Sequence, residues 1–342
     1  MKRLVSGSSR GILAALLTAG LVLSGCAKGD GEPGGESTRS STTSAASKAS
    51  GEQSTDAPVV AEVAEASNDR VAAAGFGDVD TLLALGIVPV TVAPWGQPGD
   101  TGEKGVGPWA LEALGDNDPA KIMGTASGFT GQIVEQIAAT DPTKIIAVNA
   151  AVDEQARKDL EAIAPLATHS DEYQDWSVPW QEQIRDIAAA VGMSDRGEEL
   201  IEESEQSFTD FASAHPELSD KTVAVVFPLK GELRVYTEDH NRGRFISRLG
   251  FRMPEELTEQ AGDSFYVAVS PENYNTLSAA DYVYVLDYQG STDQLKNDPA
   301  FSSIDAVREG RVRYIDEDTA NAMSMMNPLT IPWAVDRIEE QL

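Results

Sequence analysis

The chain has one cysteine, Cys26, and three histidines, His169, His215 and His240, among 342 residues. A lone thiol forms no disulfide within the chain, and a chain of this length can bury a core without one. So few sulfur and imidazole ligands leave little material for a transition-metal site of the protein's own. A metal handled by this chain would arrive already chelated, and no resident cofactor is expected. Basic residues are also scarce: 26 Lys and Arg stand against 55 Asp and Glu, a formal net charge of −29. That balance excludes nucleic acid as a partner, since its binding rests on cations neutralising phosphates, and it excludes a polybasic grip on anionic lipid. Beyond Cys26 there is no Gly-x-Ser-x-Gly elbow, and nowhere a His-Glu-x-x-His helix. The many acids single out no glycosidase-like pair. A lipid-anchored hydrolase is therefore the weaker alternative, and no enzyme is expected.

Long hydrophobic runs are missing as well. The apolar stretch Ile12 to Leu23 falls short of the roughly 20 residues that span a bilayer. Lys2, Arg3 and Arg10 precede it and Leu23-Ser24-Gly25-Cys26 closes it, the flanks of an export signal. A plain secretory signal would share the basic start and the apolar run. The small residues before the cysteine resemble a bacterial lipoprotein signal, in which cleavage leaves Cys26 as a diacylglyceryl-modified N-terminus. Two acyl chains suffice for stable anchoring. The expected location is the extracytoplasmic face of the cell membrane.

The chain divides into segments of distinct character. Residues 1–25 read as signal peptide and 26–58 as the lipidated cysteine with a Gly/Ser/Thr-rich tether. That stretch has too little apolar surface to fold, and its reach is roughly 30 Å. From Val59 strand and helix patterns alternate: strands at Val71–Ala74, Val88–Ala93 and Ile145–Val148, helices at Val79–Leu85 and Asp153–Ile163. Asp78 or Asp80 can cap the first helix and Gly86 can end it. Arg196 to His215 gives the longest helical pattern, with Leu200, Ile201, Ser204, Phe208 and Phe211 on one face. The alternation then restarts, with strands at Val223–Phe227, Leu233–Tyr236, Tyr282–Leu286 and Val312–Ile315, and helices at Phe245–Leu249 and Ile331–Glu340. The fold class is α/β, with two lobes (59–190 and 217–342) joined by one long helix over 191–216.

The halves share a spacing. Glu135 stands ten residues before the strand at Ile145, and Glu272 ten before the strand at Tyr282; Asp141 and Asp281 also precede those strands. Two ordinary acidic helix starts would give the same pattern. The run from Arg70 to Asp80 followed by Leu82-Leu83-Ala84-Leu85-Gly86-Ile87-Val88-Pro89-Val90 resembles the opening of periplasmic-type iron–siderophore binding proteins. Ile133 to Ile137 with Asp141-Pro142, Phe245 to Phe251, and Asn327 to Trp333 are similar to later segments of that family, in the same order. The resemblance implies a two-lobed fold with a single bridging helix and a ferric siderophore as ligand. It also implies an ABC-transporter permease as partner and a monomer that closes modestly on its ligand. It further implies that Glu135 and Glu272 dock on permease arginines, although Pro142-Thr143-Lys144 departs from the family's usual Pro-Asp-Leu. Haem or cobalamin on the same fold is the alternative; haem would need His169 or His240 on iron.

Ligands of open α/β sheets sit beyond the carboxyl ends of the strands. There the sequence offers Trp95 and Trp109, each after a proline, as flat surfaces for a planar ligand group or as rings packed under their own loops. Between Lys221 and Arg252 seven basic residues stand against three acids, a local reversal of charge. Within it Arg242, in a loop ahead of a helix, is the best candidate for an anionic ligand; an ion pair with Glu238 or Asp239 would be the ordinary alternative. Arg248 reads as surface decoration of that helix. Tyr236, Tyr266 and Trp333 complete the candidate set, each equally suited to the core. Met323, Met325 and Met326 read as core filling, and Trp176 and Trp180 fall in a segment without periodicity.

Overall fold

The computed structural model describes residues 69–95, 101–262 and 264–342. Cys26, the signal and the tether lie outside them, and no helix among the described residues is long and apolar enough to cross a membrane. The described residues form one compact unit.

The first sheet has the order β3-β2-β1-β4-β5 and is parallel throughout: β1 Val71–Ala73, β2 Thr91–Val92, β3 Ala120–Lys121, β4 Lys144–Ala147 and β5 Leu166–Thr168. Its central strands β1 and β4 carry buried apolar residues, Val71–Ala73 in one and Ile145, Ile146 and Ala147 in the other, as a parallel sheet covered on both faces requires, while the edge strand β3 is exposed. The second sheet, β10-β9-β6-β7-β8, contains β6 Val223–Leu229, β7 Glu232–Tyr236, β8 Tyr266–Val269, β9 Tyr282–Leu286 and β10 Val312–Ile315. Only β7 runs against the others. Glu135 and Glu272 occupy corresponding places: each lies on the crossover into the strand beside its sheet's first strand, β4 beside β1 and β9 beside β6. The aspartates differ. Asp281 accepts from Thr222 N and Oγ1 and ties β9 to β6, whereas Asp141 serves through its carbonyl, which accepts from Arg70 Nε.

Between the sheets runs the 21-residue helix Ser194–Ala214, about 30 Å long. Leu200, Ile201, Phe208 and Phe211 are buried on its inner face. At its start a Cβ on Gly197 would lie 2.5 Å from Ala188 Cβ, so glycine there lets it close on the helix Trp180–Ala190. That second helix corrects the aperiodic reading of the segment. Trp180 opens it and is buried with Ile184, Ile187 and Ala188, a helical spacing that the irregular residues before it obscure. The C-terminal helix Thr330–Glu339 also packs on the bridging helix. The two-lobed α/β architecture around one long helix is as the sequence indicates.

Two local expectations change. The first helix, Asp78–Ala84, is capped by Gly77, not by an aspartate side chain; Asp78 and Asp80 are buried and spend their carboxylates on distant partners. Arg248 does not merely decorate a surface. It pairs with Glu205 of the bridging helix and covers the Phe208 ring at 5.2 Å.

Candidate functional site

The candidate surface is built from residues at and beyond the carboxyl ends of the parallel strands. In the first lobe, the chain leaves β1 into Phe76 and β2 into Trp95. Phe76 meets Trp176 with ring centres 5.2 Å apart, and Trp176 is 41% exposed with φ 66°. Trp95 stacks on Trp109 at 5.2 Å and 18°, and Trp109 meets Trp333 edge-on at 5.7 Å. Arg337 lies 5.0 Å from the Trp333 ring centre.

Trp109 is therefore not the exposed loop ring that its sequence position offers. It is buried, and its Nε1 donates to Asp80 Oδ2 at 2.9 Å. A Cβ on Gly107 would sit 2.3 Å from its indole, so the glycine lets the ring fold back over its own turn. Trp95 remains partly exposed beside it, and among the described residues its buried Nε1 finds no acceptor. An indole N–H without a partner costs free energy until something accepts from it. Trp333 joins the stack from the C-terminal helix rather than lining a separate wall.

Bonded to this stack is a buried carboxylate pair. Asp78 accepts from the backbone N–H groups of Val148 and Asn149, and Asp80 Oδ2 accepts from Trp109 and from Asn327 Nδ2. Oδ1 of Asp80 has no partner among the described residues. Burial outweighs these hydrogen bonds and raises Asp78 to about 7 and Asp80 to about 6.

In the second lobe, Arg242 lies in the first turn of the helix Asn241–Arg248 and not in a loop. The difference arises at His240, whose Nδ1 accepts from Arg242 N and caps the helix. Arg242 Nε donates to the Ala320 carbonyl at 3.1 Å. Its guanidinium lies 5.5 Å from the Tyr236 ring centre and 5.8 Å from that of Phe227. No carboxylate among the described residues pairs with it, so the expected alternative of an ion pair with Glu238 or Asp239 does not occur; Glu238 accepts from Ser247 instead. Burial pulls the guanidinium below its ordinary range, with the Tyr236 hydroxyl partly opposing. Tyr236 is buried under His240, which stacks on it at 4.2 Å. Tyr266 is half-buried, with Arg234 4.5 Å over its ring. Met323 and Met326 are core residues, and Met325 packs at the core's edge.

Phe227, Phe265 and Tyr288 carry no signal of their own in the sequence. Each is one aromatic beside a strand end, and only the tertiary fold brings them together with His240. Glu135 and Glu272 are both exposed. The Glu272 carboxylate is held by its own backbone N–H and by Ser270, which lowers its pKa.

With this geometry in hand, comparison with known proteins decides the family: the periplasmic binding protein model matches residues 71–319. The chain belongs to the periplasmic binding protein family. A probable siderophore-binding lipoprotein of Bacillus subtilis, YfiY, is 28% identical over 250 residues, covering 70% of this chain and 72% of that protein. Among solved structures, a periplasmic solute binding protein from Mycobacterium smegmatis is 27% identical with a TM-score of 0.68, covering 80% of this chain and 91% of its own. PiaA of Streptococcus pneumoniae in complex with ferrichrome is also 27% identical, with a TM-score of 0.62 and coverage of 80% and 92%. In this periplasmic binding protein the matched region includes β1, the bridging helix and the Arg242 helix.

Proposed function

We propose that this protein is the extracytoplasmic substrate-binding component of an ABC importer, capturing a ferric siderophore between its lobes and handing it to a membrane permease. The observation that carries the reading is Arg242. It is a partly buried guanidinium with no carboxylate partner among the described residues, seated on Tyr236 and Phe227 in a protein with more than twice as many acids as bases. A partly buried cation whose charge no carboxylate offsets favours an anion that arrives to meet it. The siderophore-binding name of YfiY and the ferrichrome complex of PiaA support the ligand class.

Chelated iron needs no ligand from the protein. The haem alternative is weaker because the histidines are committed: His169 contacts the Ser170 carbonyl and Asp175, His215 contacts Glu339, and His240 Nδ1 caps a helix. The reading includes a lipid anchor at Cys26, a monomeric binder without catalytic activity, and docking of Glu135 and Glu272 on the permease. The test is titration of the protein with ferric siderophores and with haem. Saturable quenching of tryptophan by ferric siderophores is expected. A shifted Soret band with no siderophore binding would overturn the reading.

A further inference from the structure

The second sheet carries a continuous ribbon of rings that exceeds what a single ligand arginine needs around it. Tyr288 meets Phe227 at 5.9 Å, Phe227 meets Tyr236 at 6.2 Å, and Tyr236 stacks on His240 at 4.2 Å. His240 then meets Phe265, and Phe265 meets Tyr266, both at 5.3 Å. Six rings run side by side, and Phe265 is 47% exposed. Three guanidiniums attend them. Arg242 covers Phe227 and Tyr236, Arg234 covers Tyr266, and Arg244 holds Asn241 Oδ1. None of the three has a carboxylate partner among the described residues.

We propose that the ligand is a ferric complex of aryl, catecholate-type chelating groups with net negative charge, recognised by stacking on the accessible rings of this ribbon, Phe265 foremost, and by the three arginines. The inference rests on the siderophore reading and narrows it. A ferric trihydroxamate core is neutral and would bring no anion to three guanidiniums that lack a carboxylate. An aliphatic polycarboxylate would use the arginine forks but gains nothing specific from six rings. A catecholate answers both features, since its plane stacks on aromatic faces and its oxygens carry the charge that guanidinium reads. His240 fits this role as a neutral ring. Its Nδ1 accepts from Arg242 N, which places the proton on Nε2, and burial beside Arg242 and Arg244 lowers its pKa to about 3.

The test is quenching of tryptophan fluorescence of the full chain by three probes: ferric enterobactin (a tricatecholate), ferrichrome (a trihydroxamate) and ferric citrate. The expected result is binding of ferric enterobactin at least about 10-fold tighter than either other probe, from the stacking and charge contributions together. Equal or tighter binding of ferrichrome or ferric citrate overturns the aryl assignment while leaving the siderophore reading standing. No binding of any of the three overturns both. A second arm uses Phe265→Ala, at an exposed position where folding is preserved. Its affinity for ferric enterobactin should fall about 3- to 10-fold at an unchanged melting temperature. Unchanged affinity removes the ribbon from the ligand wall and the proposal with it.

Discussion

Asn327 donates its side-chain amide to Asp80 at 2.8 Å, joining residues 247 positions apart and tying the C-terminal segment to the first helix of the N-terminal lobe. The same Asn327 closes its own turn, since its Oδ1 accepts from Leu329 N and Thr330 N. Asp80 Oδ2 is shared with Trp109, so one buried oxygen holds both the lobe contact and the tryptophan stack. Asn327→Ala should cost about 1–3 kcal/mol, the penalty for leaving a buried acceptor short of a donor. Denaturant unfolding at constant pH measures it, and a midpoint equal to wild type would show that the contact adds nothing to stability.

The buried pair contributes an inverted pH dependence to stability. Asp78 and Asp80 are raised from 3.8 to about 7 and about 6, so between pH 3.8 and about 7 this pair holds more protons in the folded state than in the unfolded chain. The pair's contribution to stability therefore falls as pH rises through this window, while His240, lowered from 6.5 to about 3, acts in the opposite direction below pH 6.5. Asp80→Asn should flatten its share of the slope in melting temperature against pH. An unchanged slope in that variant would contradict the assignment.

Glu205 of the bridging helix is held from both sides. Gln181 of the N-terminal lobe donates to its Oε1, and Arg248 of the C-terminal lobe pairs with its Oε2. Glu205→Ala should cost about 1 kcal/mol or less, because the pair is partly exposed. Its larger effect should be on the lobes' freedom to move. Hydrogen exchange should quicken in helices Trp180–Ala190 and Asn241–Arg248, and unchanged exchange there would show that the tie does not restrain them.

If Glu135 and Glu272 dock on permease arginines, reversing both charges should leave ligand affinity unchanged and abolish uptake. Both side chains are exposed, so folding should be unaffected. Normal uptake by Glu135→Arg with Glu272→Arg would refute the docking role.

Much of the architecture is legible locally. The buried runs Ile145–Val148 and Val223–Val226 and the helical face of Leu200, Phe208 and Phe211 announce strands and a long helix through their own periodicity. What local pattern does not carry is set at a distance. Asp78 and Asp80 look like helix caps, yet Val148 and Asn327 claim their carboxylates from about 70 and 247 residues away. Arg242 looks like a loop residue because Asn241 and Gly243 are poor helix formers, but the His240 ring supplies the cap that a Ser or Asp usually provides. Trp109 is legible as a ring near a strand end, while its burial depends on Trp333 and Asp80. Phe227, Phe265 and Tyr288 give no signal, since one aromatic near a strand end is indistinguishable from core until the sheet is assembled.

The central claim is that Arg242 meets an anionic ferric ligand, and tryptophan-quenching titration of wild type, Arg242→Gln and Arg242→Glu tests it most directly. Arg242→Gln should weaken binding about 100-fold, the cost of removing one partner from a charge pair that the bound ligand encloses. Arg242→Glu should weaken it further, with both variants melting cooperatively. Wild-type affinity in either folded variant would contradict the account.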